Sequence, residues 1–321
     1  MNQEFSDQVK GILFGQAIGD ALGFGTEGMR KVEIKDFYPE GLTRYDQVLL
    51  RFDKFKAMGW VQGDWTDDTD QMLCILDSLV GLGHFNVRDI ARRLHHWAIS
   101  DGMGIGWSTY AIIHDPTFLL DPQKAALNYW HAQNCASAPN GGVMRTAVLG
   151  IWQYKAPEVV KHNAAEACRI THADPRYIGS AIAVSLAISA LLQGETDIKQ
   201  VVDIAQVAVS HFHPELDHWF DLASQPNVER LTLDPDSEKG MGYTLRTLAA
   251  GFWALQHAQS YQEGILAIIH EGGDADTNAA VAGALLGARF GYKNLPPQWI
   301  QGLVYHEQLM NKSNQLLACL T

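Results

Sequence analysis

Apolar residues recur along the chain at the spacing of buried helix faces. In VKGILFGQAIGDALG (9–23) and DQMLCILDSLVGLG (70–83) they follow the i, i+3, i+4 pattern that is typical of amphipathic helices. Sustained alternation of valine, isoleucine and threonine, which is typical of strands, is convincing nowhere in the chain. The pattern therefore predicts an all-α protein. Similar periodicity predicts further helices over residues 87–100, 122–133, 157–171, 197–212, 244–258, 261–270 and 277–291.

The longest apolar run, YIGSAIAVSLAISALL (177–192), predicts a buried helix, because it is shorter than the roughly 20 residues that a bilayer needs and contains glycine and serine. Since that helix is expected to be buried, we expect no membrane association. No linker-like tract divides the predicted helices, so we expect one domain over residues 1–321. The least helical segment, residues 29–63, contains several aromatic residues, which favours an ordered lid.

The composition narrows the class of protein. The chain has 321 residues, of which 47% are hydrophobic and 19% charged, so a sizeable core is expected and disorder is not. A formal net charge of −12 argues against nonspecific nucleic-acid binding, which needs a basic face. The four cysteines are scattered and the N-terminal segment lacks an apolar signal region, which indicates a cytoplasmic protein with reduced thiols. We expect a monomer.

The first candidate for chemistry is the acidic stretch TDDTD, residues 66–70, which precedes a buried helix. Aspartate and threonine at this place cap the free amides of a first helical turn and suit the helix dipole. A run of three carboxylates exceeds what capping needs, and hard divalent cations bind oxygen ligands of this kind. From this stretch alone, helix capping and metal binding are equally supported.

A second acidic helix start changes that balance. GGDADT, residues 272–277, again places two aspartates and a threonine before an apolar helix. An EF-hand is excluded, because the stretch lacks the glycine at loop position 6 and the glutamate at position 12. Two such helix starts are best explained by convergence on the same ions, so a two-metal carboxylate site is favoured over two separate caps.

Two glycine-containing stretches are ambiguous from their residues alone. GILFGQAIGDALGFGTEGM (11–29) is typical of close helix packing, and it ends near Glu27, a carboxylate that could reach a neighbouring site. It has neither a Walker A lysine nor a GxGxxG after a strand. APNGGVMRTAVLG (138–150) offers free amides to an anion or a hydroxyl-rich ligand, but a turn and capped helix with a solvated Arg145 explain it equally well.

Together the motifs carry a family resemblance. GDALGFGTE, WTDDTDQM, NGGVMRTAVLG, THADPR and GGDADTNAAVAGALLGARFG occur in this order over nearly the whole chain. In this arrangement the chain resembles the ADP-ribosylglycohydrolase family, which includes dinitrogenase-reductase-activating glycohydrolases and eukaryotic ADP-ribosylhydrolases. The resemblance implies a compact single-domain orthogonal helical bundle, with two Mg²⁺ or Mn²⁺ ions in a cleft. It also implies hydrolysis of ADP-ribose from modified side chains.

The resemblance assigns roles to residues by motif position. It implies that Asp68 or Glu27 acts as general base. The implied metal ligands are Thr66, Asp67, Asp68, Asp274, Asp276 and Thr277. The implied substrate contacts are Gly104, Gly106 and Ser108 for the diphosphate; Asn140, Gly141, Gly142, Met144 and Arg145 for the ribose and diphosphate; His172 for the distal part; Tyr243 for adenine; and Asp101 near the scissile bond.

The substrate stays open at this point. An arginine N-glycosidic bond is favoured over a serine O-linkage, because arginine cleavage is the familiar activity of the bacterial family members. The partner would be an ADP-ribosylated protein or another ADP-ribose conjugate. Two alternatives remain: an ADP-ribose-binding or structural protein without catalysis, and a hydrolase of another ribosylated metabolite. The complete set of acidic residues in both motifs favours the enzyme.

Overall fold

The hydrophobic periodicity corresponds to helices in the computed structural model, which describes residues 3–49, 53–236 and 240–320. The α-helices are α1 (Gln3–Gly23), α2 (Lys31–Phe37), α3 (Asp53–Ala57), α4 (Asp67–Leu82), α5 (Val87–Ser100), α6 (Trp107–Ile113), α7 (Pro122–Ala132), α8 (Ala147–Ile151), α9 (Pro157–Arg169), α10 (Pro175–Leu192), α11 (Ile198–Val209), α12 (Glu215–Ala223), α13 (Thr244–His257), α14 (Tyr261–Ile269), α15 (Ala275–Phe290), α16 (Pro297–Gly302) and α17 (His306–Cys319). Short 3-10 helices span Tyr45–Gln47, Val143–Arg145, Val228–Leu231 and Tyr292–Asn294.

The all-α prediction is confirmed, since the described ranges contain no strand. Every segment with predicted helical periodicity lies on a helix, with ends that differ by a few residues. The periodicity did not single out α6, α8, α12, α16 or α17. Three of these are seven residues or shorter, which is too short to display a full apolar repeat.

The long apolar run forms the central helix of the core. Every residue of α10 from Tyr177 to Leu192 is buried, as predicted. In the described part of the chain, α10 alone is long and apolar enough to cross a membrane, and 89% of it is buried inside the protein. Helices α8, α9, α11 and α13 pack around it, and one continuous apolar core connects them. The helix is therefore explained by the protein's own interior.

Helices α1 and α15 pack backbone to backbone and thereby position the acidic motifs. A Cβ atom added at Gly11, Gly15, Gly19 or Gly23 would lie 2.0–2.4 Å from a carbonyl oxygen of α15, far inside contact distance. The facing residues run antiparallel, so that Gly23 meets Ala275. The predicted close packing of small residues is thus confirmed. It brings the C-terminus of α1 beside the start of the second acidic motif.

The segment over residues 29–63 is more helical than its sequence indicates, since α2 and α3 lie within it; residues 50–52 fall outside the described ranges. Lys31 on α2 forms salt bridges with Glu229 and with Glu271, which directly precedes the second acidic motif. These contacts attach the segment to the loop before α15. Its role as a lid stays a prediction.

Candidate active site

The two acidic helix starts face one cavity of about 320 Å³. All six predicted metal ligands line it, and so does Glu27. Of the predicted substrate contacts, Gly104, Gly106, Ser108, Asn140, Gly141, Met144 and His172 also line it. Residues more than two hundred positions apart in sequence are therefore brought together, which is the convergence that the two motifs required.

The first motif surrounds the N-terminus of α4, where Thr66 is the N-cap residue. Its side chain does not cap the helix. Instead the buried carboxylate of Asp20 on α1 accepts four hydrogen bonds of 2.6–3.0 Å, from the backbone N–H and the hydroxyl of both Thr66 and Thr69. Because the Thr66 hydroxyl donates its proton in a hydrogen bond to Asp20, the lone pairs of the hydroxyl oxygen stay available to bind a metal ion.

The second motif surrounds the N-terminus of α15 and is joined to the loop that carries Glu27. The backbone N–H of Gly28 donates to the carbonyl of Gly273 at 2.7 Å, and the N–H of Gly273 donates to the carbonyl of Met29 at 3.0 Å. Gly273 has a φ of +68°, and a Cβ atom added to it would lie 1.8 Å from the carbonyl oxygen of Leu233. Only glycine therefore fits there. This backbone pair holds Glu27 beside the second motif.

The donor set in the cavity fits a hard divalent cation. One oxygen each of Glu27, Asp274 and Asp276 lies within 4.8 Å of the others. Asp68 links the motifs, because its Oδ2 accepts a hydrogen bond from the Thr277 hydroxyl at 3.1 Å. Its Oδ1 is buried without a hydrogen-bond partner among the described residues. A buried oxygen without a hydrogen-bond donor is unfavourable, and so is the mutual repulsion of clustered carboxylates. A divalent cation bound by these oxygens would offset both costs.

The electrostatics of these carboxyls reflect the same crowding. Burial, followed by the charges of Asp20 and Glu27, raises the pKa of Asp67 well above its usual range. Burial and then the charges of Asp20 and Asp67 do the same to the pKa of Asp68. For Asp276, burial and the Glu27 charge are the leading causes of a raised pKa. Bringing positive charge into the cavity would favour the ionised form of all three.

The NGG turn, residues 140–142, supplies part of the cavity wall beside the second acidic motif. The Asn140 amide donates to Asp274 Oδ2 at 2.6 Å and to the Thr247 hydroxyl at 2.8 Å, so it orients a carboxylate of the second motif. A Cβ at Gly141 would lie 3.0 Å from the His172 ring and 3.2 Å from the Thr109 hydroxyl, so a side chain would crowd both. Glycine at this position therefore lets the turn pack closely against His172 and Thr109.

Arg145 lies behind this wall and does not line the cavity, which corrects the expectation that it contacts the ligand or is solvated. Its side chain is fully buried and donates to Gln71 Oε1 at 2.7 Å and to the Thr171 hydroxyl at 2.6 Å. Gln71 in turn donates to Asp67 Oδ2 at 2.9 Å, and the Thr171 hydroxyl lies 2.6 Å from His172 Nδ1. Arg145 thus connects the first acidic motif with His172.

This chain of hydrogen bonds favours one tautomer of His172. A guanidinium can only donate, so the Thr171 oxygen accepts from Arg145. Among the described residues His172 Nδ1 is the one acceptor for the proton of this buried hydroxyl, so that proton points to Nδ1 rather than staying unpaired. Burial and the Arg145 charge lower the pKa of His172 well below its usual value, which keeps the ring neutral. The remaining proton is therefore on Nε2, and His172 presents a hydrogen-bond donor at the cavity wall.

Three other predicted contact residues lie outside the main cavity. Gly142 is buried against the Cys168 sulfur, and Asp101 is exposed at the C-cap of α5. Tyr243 lines a neighbouring cavity of about 260 Å³, together with Arg176, and Pro139 lines both cavities. The Tyr243 hydroxyl donates to Glu215 Oε2 at 2.8 Å. The two cavities thus adjoin at Pro139.

Several functional positions were missed from the sequence. Phe24, Phe55, Trp107, Thr109 and Pro139 also line the main cavity. Asp20 and Gln16 support it from α1, since the Gln16 amide donates to the carbonyls of Asp68 and Met144. Their signal was present, because Gln16 and Asp20 are the two polar residues in the otherwise apolar stretch 11–23 of α1.

Comparison with known proteins agrees with this geometry. The profile of the family described as ADP-ribosylglycohydrolase matches residues 1–320. The ADP-ribosylarginine hydrolase Tri1 of Serratia proteamaculans is 25% identical over 98% of this chain and 80% of its own, and the ADP-ribosyl-(dinitrogen reductase) glycohydrolase of Rhodospirillum rubrum is 25% identical over 92% and 90%. A solved structure titled ADP-ribosylglycohydrolase-related protein complex superposes over both whole chains with a TM-score of 0.78 and 25% identity. The chain therefore belongs to the ADP-ribosylglycohydrolase family of hydrolytic enzymes.

Proposed function

We propose that this protein is a metal-dependent hydrolase that removes ADP-ribose from modified protein side chains, with the N-glycosidic bond of ADP-ribosyl-arginine as its preferred target. The observation that carries the proposal is the convergence of both acidic helix starts and Glu27 on one cavity. Family membership supports the hydrolysis of an ADP-ribosyl bond, and the name of the Serratia relative supports arginine.

The ligands proposed for two Mg²⁺ or Mn²⁺ ions are Thr66, Asp67, Asp68, Asp274, Asp276 and Thr277. When bound, such ions polarise a water molecule and orient the hydroxyls of the ribose. They also supply the positive charge that a protein of net charge −12 needs to hold a diphosphate. Hydroxyl and carboxylate oxygens suit both metals equally, and this set does not discriminate between them.

The protein's own residues supply positioning and proton transfer. Asp68, through its unpaired Oδ1, or Glu27 takes the proton from the attacking water. The water oxygen bonds to the anomeric carbon and the bond from that carbon to the guanidine nitrogen breaks. The proton that the carboxylate took from water is then returned to the leaving guanidine. The His172 Nε2–H, the Asn140 turn and the Gly104–Gly106 segment line the space for ribose and diphosphate. The neighbouring Tyr243 cavity is proposed to hold the adenine.

The proposal is tested with arginine-linked and serine-linked ADP-ribosylated peptides, incubated with and without a chelator. We expect release of ADP-ribose from the arginine-linked peptide, loss of turnover with the chelator, and recovery on addition of Mg²⁺ or Mn²⁺. The Asp276→Ala variant should fold normally and lose activity by roughly three orders of magnitude or more, because the cavity loses a ligand.

Each alternative has its own outcome in this assay. Full activity of Asp276→Ala, or of chelator-treated protein, contradicts the metal-dependent mechanism. Cleavage of only the serine-linked peptide would overturn the preference for arginine. Binding of ADP-ribose without cleavage of either peptide would identify the non-catalytic alternative. Release from another ADP-ribose conjugate alone would point to the metabolite hydrolase.

A further inference from the structure

Helix α6 exposes a row of aromatic rings at the mouth of the cavity. Trp107 is 77% exposed and Tyr110 is 42% exposed. Their ring centroids are 6.1 Å apart and the rings are stacked, and Tyr110 stacks in turn on the exposed His114 at 4.0 Å. The spacing of three and four residues places all three on one face of the helix. We call Trp107, Tyr110 and His114 the aromatic strip.

The aromatic strip is continuous with the catalytic cavity. Trp107 lines the cavity beside Gly106 and Ser108, whereas Tyr110 and His114 do not line it. Seven residues of helix extend about 10 Å, so the strip runs from the rim outwards over the surface. An exposed tryptophan stacked on a second exposed ring is apolar area that the fold leaves uncovered, which is typical of recognition surfaces.

The charge next to the strip indicates the kind of partner. Asp115 directly follows His114 at the outer end of the strip. Hydrogen bonds from Thr117 hold the pKa of Asp115 below its usual value, so it is an anion at neutral pH. Aromatic faces beside a carboxylate attract lysine and arginine side chains through cation–π and charge interactions.

We propose that the aromatic strip is the surface on which the polypeptide bearing the modified side chain docks, with a basic residue of that polypeptide seated on the rings. The inference rests on the proposed function. If ADP-ribose occupies the cavity, the chain attached to it has to cross the rim, and the strip begins there. A free ADP-ribosyl amino acid carries no neighbouring residues that could rest on the strip.

The test compares two substrates in one series of variants. The probes are free ADP-ribosyl-arginine and an arginine-ADP-ribosylated peptide with lysines beside the modified residue. For the Tyr110→Ala/His114→Ala double variant we expect the ratio of kcat/KM for the peptide to that for the free conjugate to fall roughly tenfold, through a higher KM for the peptide. The control is Val207→Ala, at a residue that is 75% exposed on α11.

The outcomes separate this inference from the proposed function. Replacing the lysines of the peptide by glutamates should lower its kcat/KM with the wild type and have little effect with the double variant. An unchanged ratio in a double variant with wild-type circular dichroism and Tm would overturn the docking surface and leave the proposed function intact. Failure of the wild type to cleave either probe would overturn both.

Discussion

The Thr171 hydroxyl favours the Nε2–H tautomer of His172. Replacing Thr171 by valine removes the donor to Nδ1 and leaves Arg145 without one of its acceptors. We expect Thr171→Val to lower kcat/KM roughly tenfold, mainly through KM, because the Nε2–H is no longer the enforced tautomer. The ¹⁵N chemical shifts of the His172 ring measure the tautomer directly.

The matched control for this prediction is Thr171→Ser, which keeps the hydroxyl and should retain both the tautomer and the kinetics. A valine variant with an unchanged Nε2–H population would show that the ring is positioned by other contacts. A valine variant that loses activity only by unfolding would be recognised from its Tm, because a positioning role predicts altered ring shifts in the folded protein.

At this scale the sequence identifies the residues that motifs contain, and it misses the partners that the fold brings to them. Both aspartate motifs were predicted as ligands and both line the cavity. Arg145 was expected to contact the ligand and is fully buried, because its partners Gln71 and Thr171 come from α4 and from the turn after α9. Asp20 stands out as a polar residue in an apolar stretch, but only the fold shows that its carboxylate accepts from Thr66 and Thr69 at the start of α4.

The pairing of α1 with α15 is the structural element on which the site depends. In Gly19→Ala, the added methyl group would lie 2.0 Å from the carbonyl oxygen of Ala279. The helices would have to separate, so we expect a loss of about 3 kcal/mol in the free energy of unfolding and weaker activity. Urea denaturation followed by circular dichroism measures the change.

Gly81→Ala is the control for the helix-pairing prediction. Gly81 also lies within a helix, but the nearest atom to its added Cβ is Arg93 Nη2, at 3.2 Å, at the end of a flexible side chain. This substitution should cost little or stabilise the protein by up to about 1 kcal/mol, through higher helix propensity. Equal destabilisation by both changes would contradict the close-packing argument.

Periodicity was sufficient to predict the long helices, because burial of one face imposes it. It could not predict which helices are neighbours. The four-residue spacing of glycine and alanine on both α1 and α15 does contain that information, but only when the two stripes are matched antiparallel. The short helices within residues 29–63 were not predicted, since five to seven residues carry too little pattern.

At the scale of the whole molecule, the buried carboxyls make the stability of the folded protein depend on pH. Burial is the main cause that raises the pKa of Asp20 and of Asp70 to about 6 and that of Asp64 to about 7, from 3.8. Hydrogen bonds from the indoles of Trp65 and Trp97 oppose the rise at Asp70 only in part. In the absence of a cation, the folded protein therefore retains protons that the unfolded chain releases near pH 4.

This difference determines the sign of the pH dependence. Between about pH 4 and pH 7 these carboxyls bind more protons in the folded than in the unfolded state, so their contribution to stability decreases as pH rises. The lowered pKa of His172 and of His270 acts in the opposite direction, but the carboxyls with raised pKa outnumber these two histidines. We expect the Tm of chelator-treated protein to fall by roughly 5 °C or more from pH 5 to pH 7.5. This figure is the expected loss in the free energy of unfolding divided by the entropy of unfolding. Differential scanning calorimetry across this range measures the slope.

A divalent cation should reverse the trend, because it binds the ionised carboxylates and its affinity increases as they lose their protons. Added Mg²⁺ or Mn²⁺ is expected to raise the Tm strongly at pH 7.5 and only slightly at pH 5. Glu158→Gln, at an exposed position on α9, should keep the same slope. A Tm of the chelated protein that rises from pH 5 to pH 7.5 would contradict the argument, because it would mean that these carboxylates are stabilised in their ionised form without a metal.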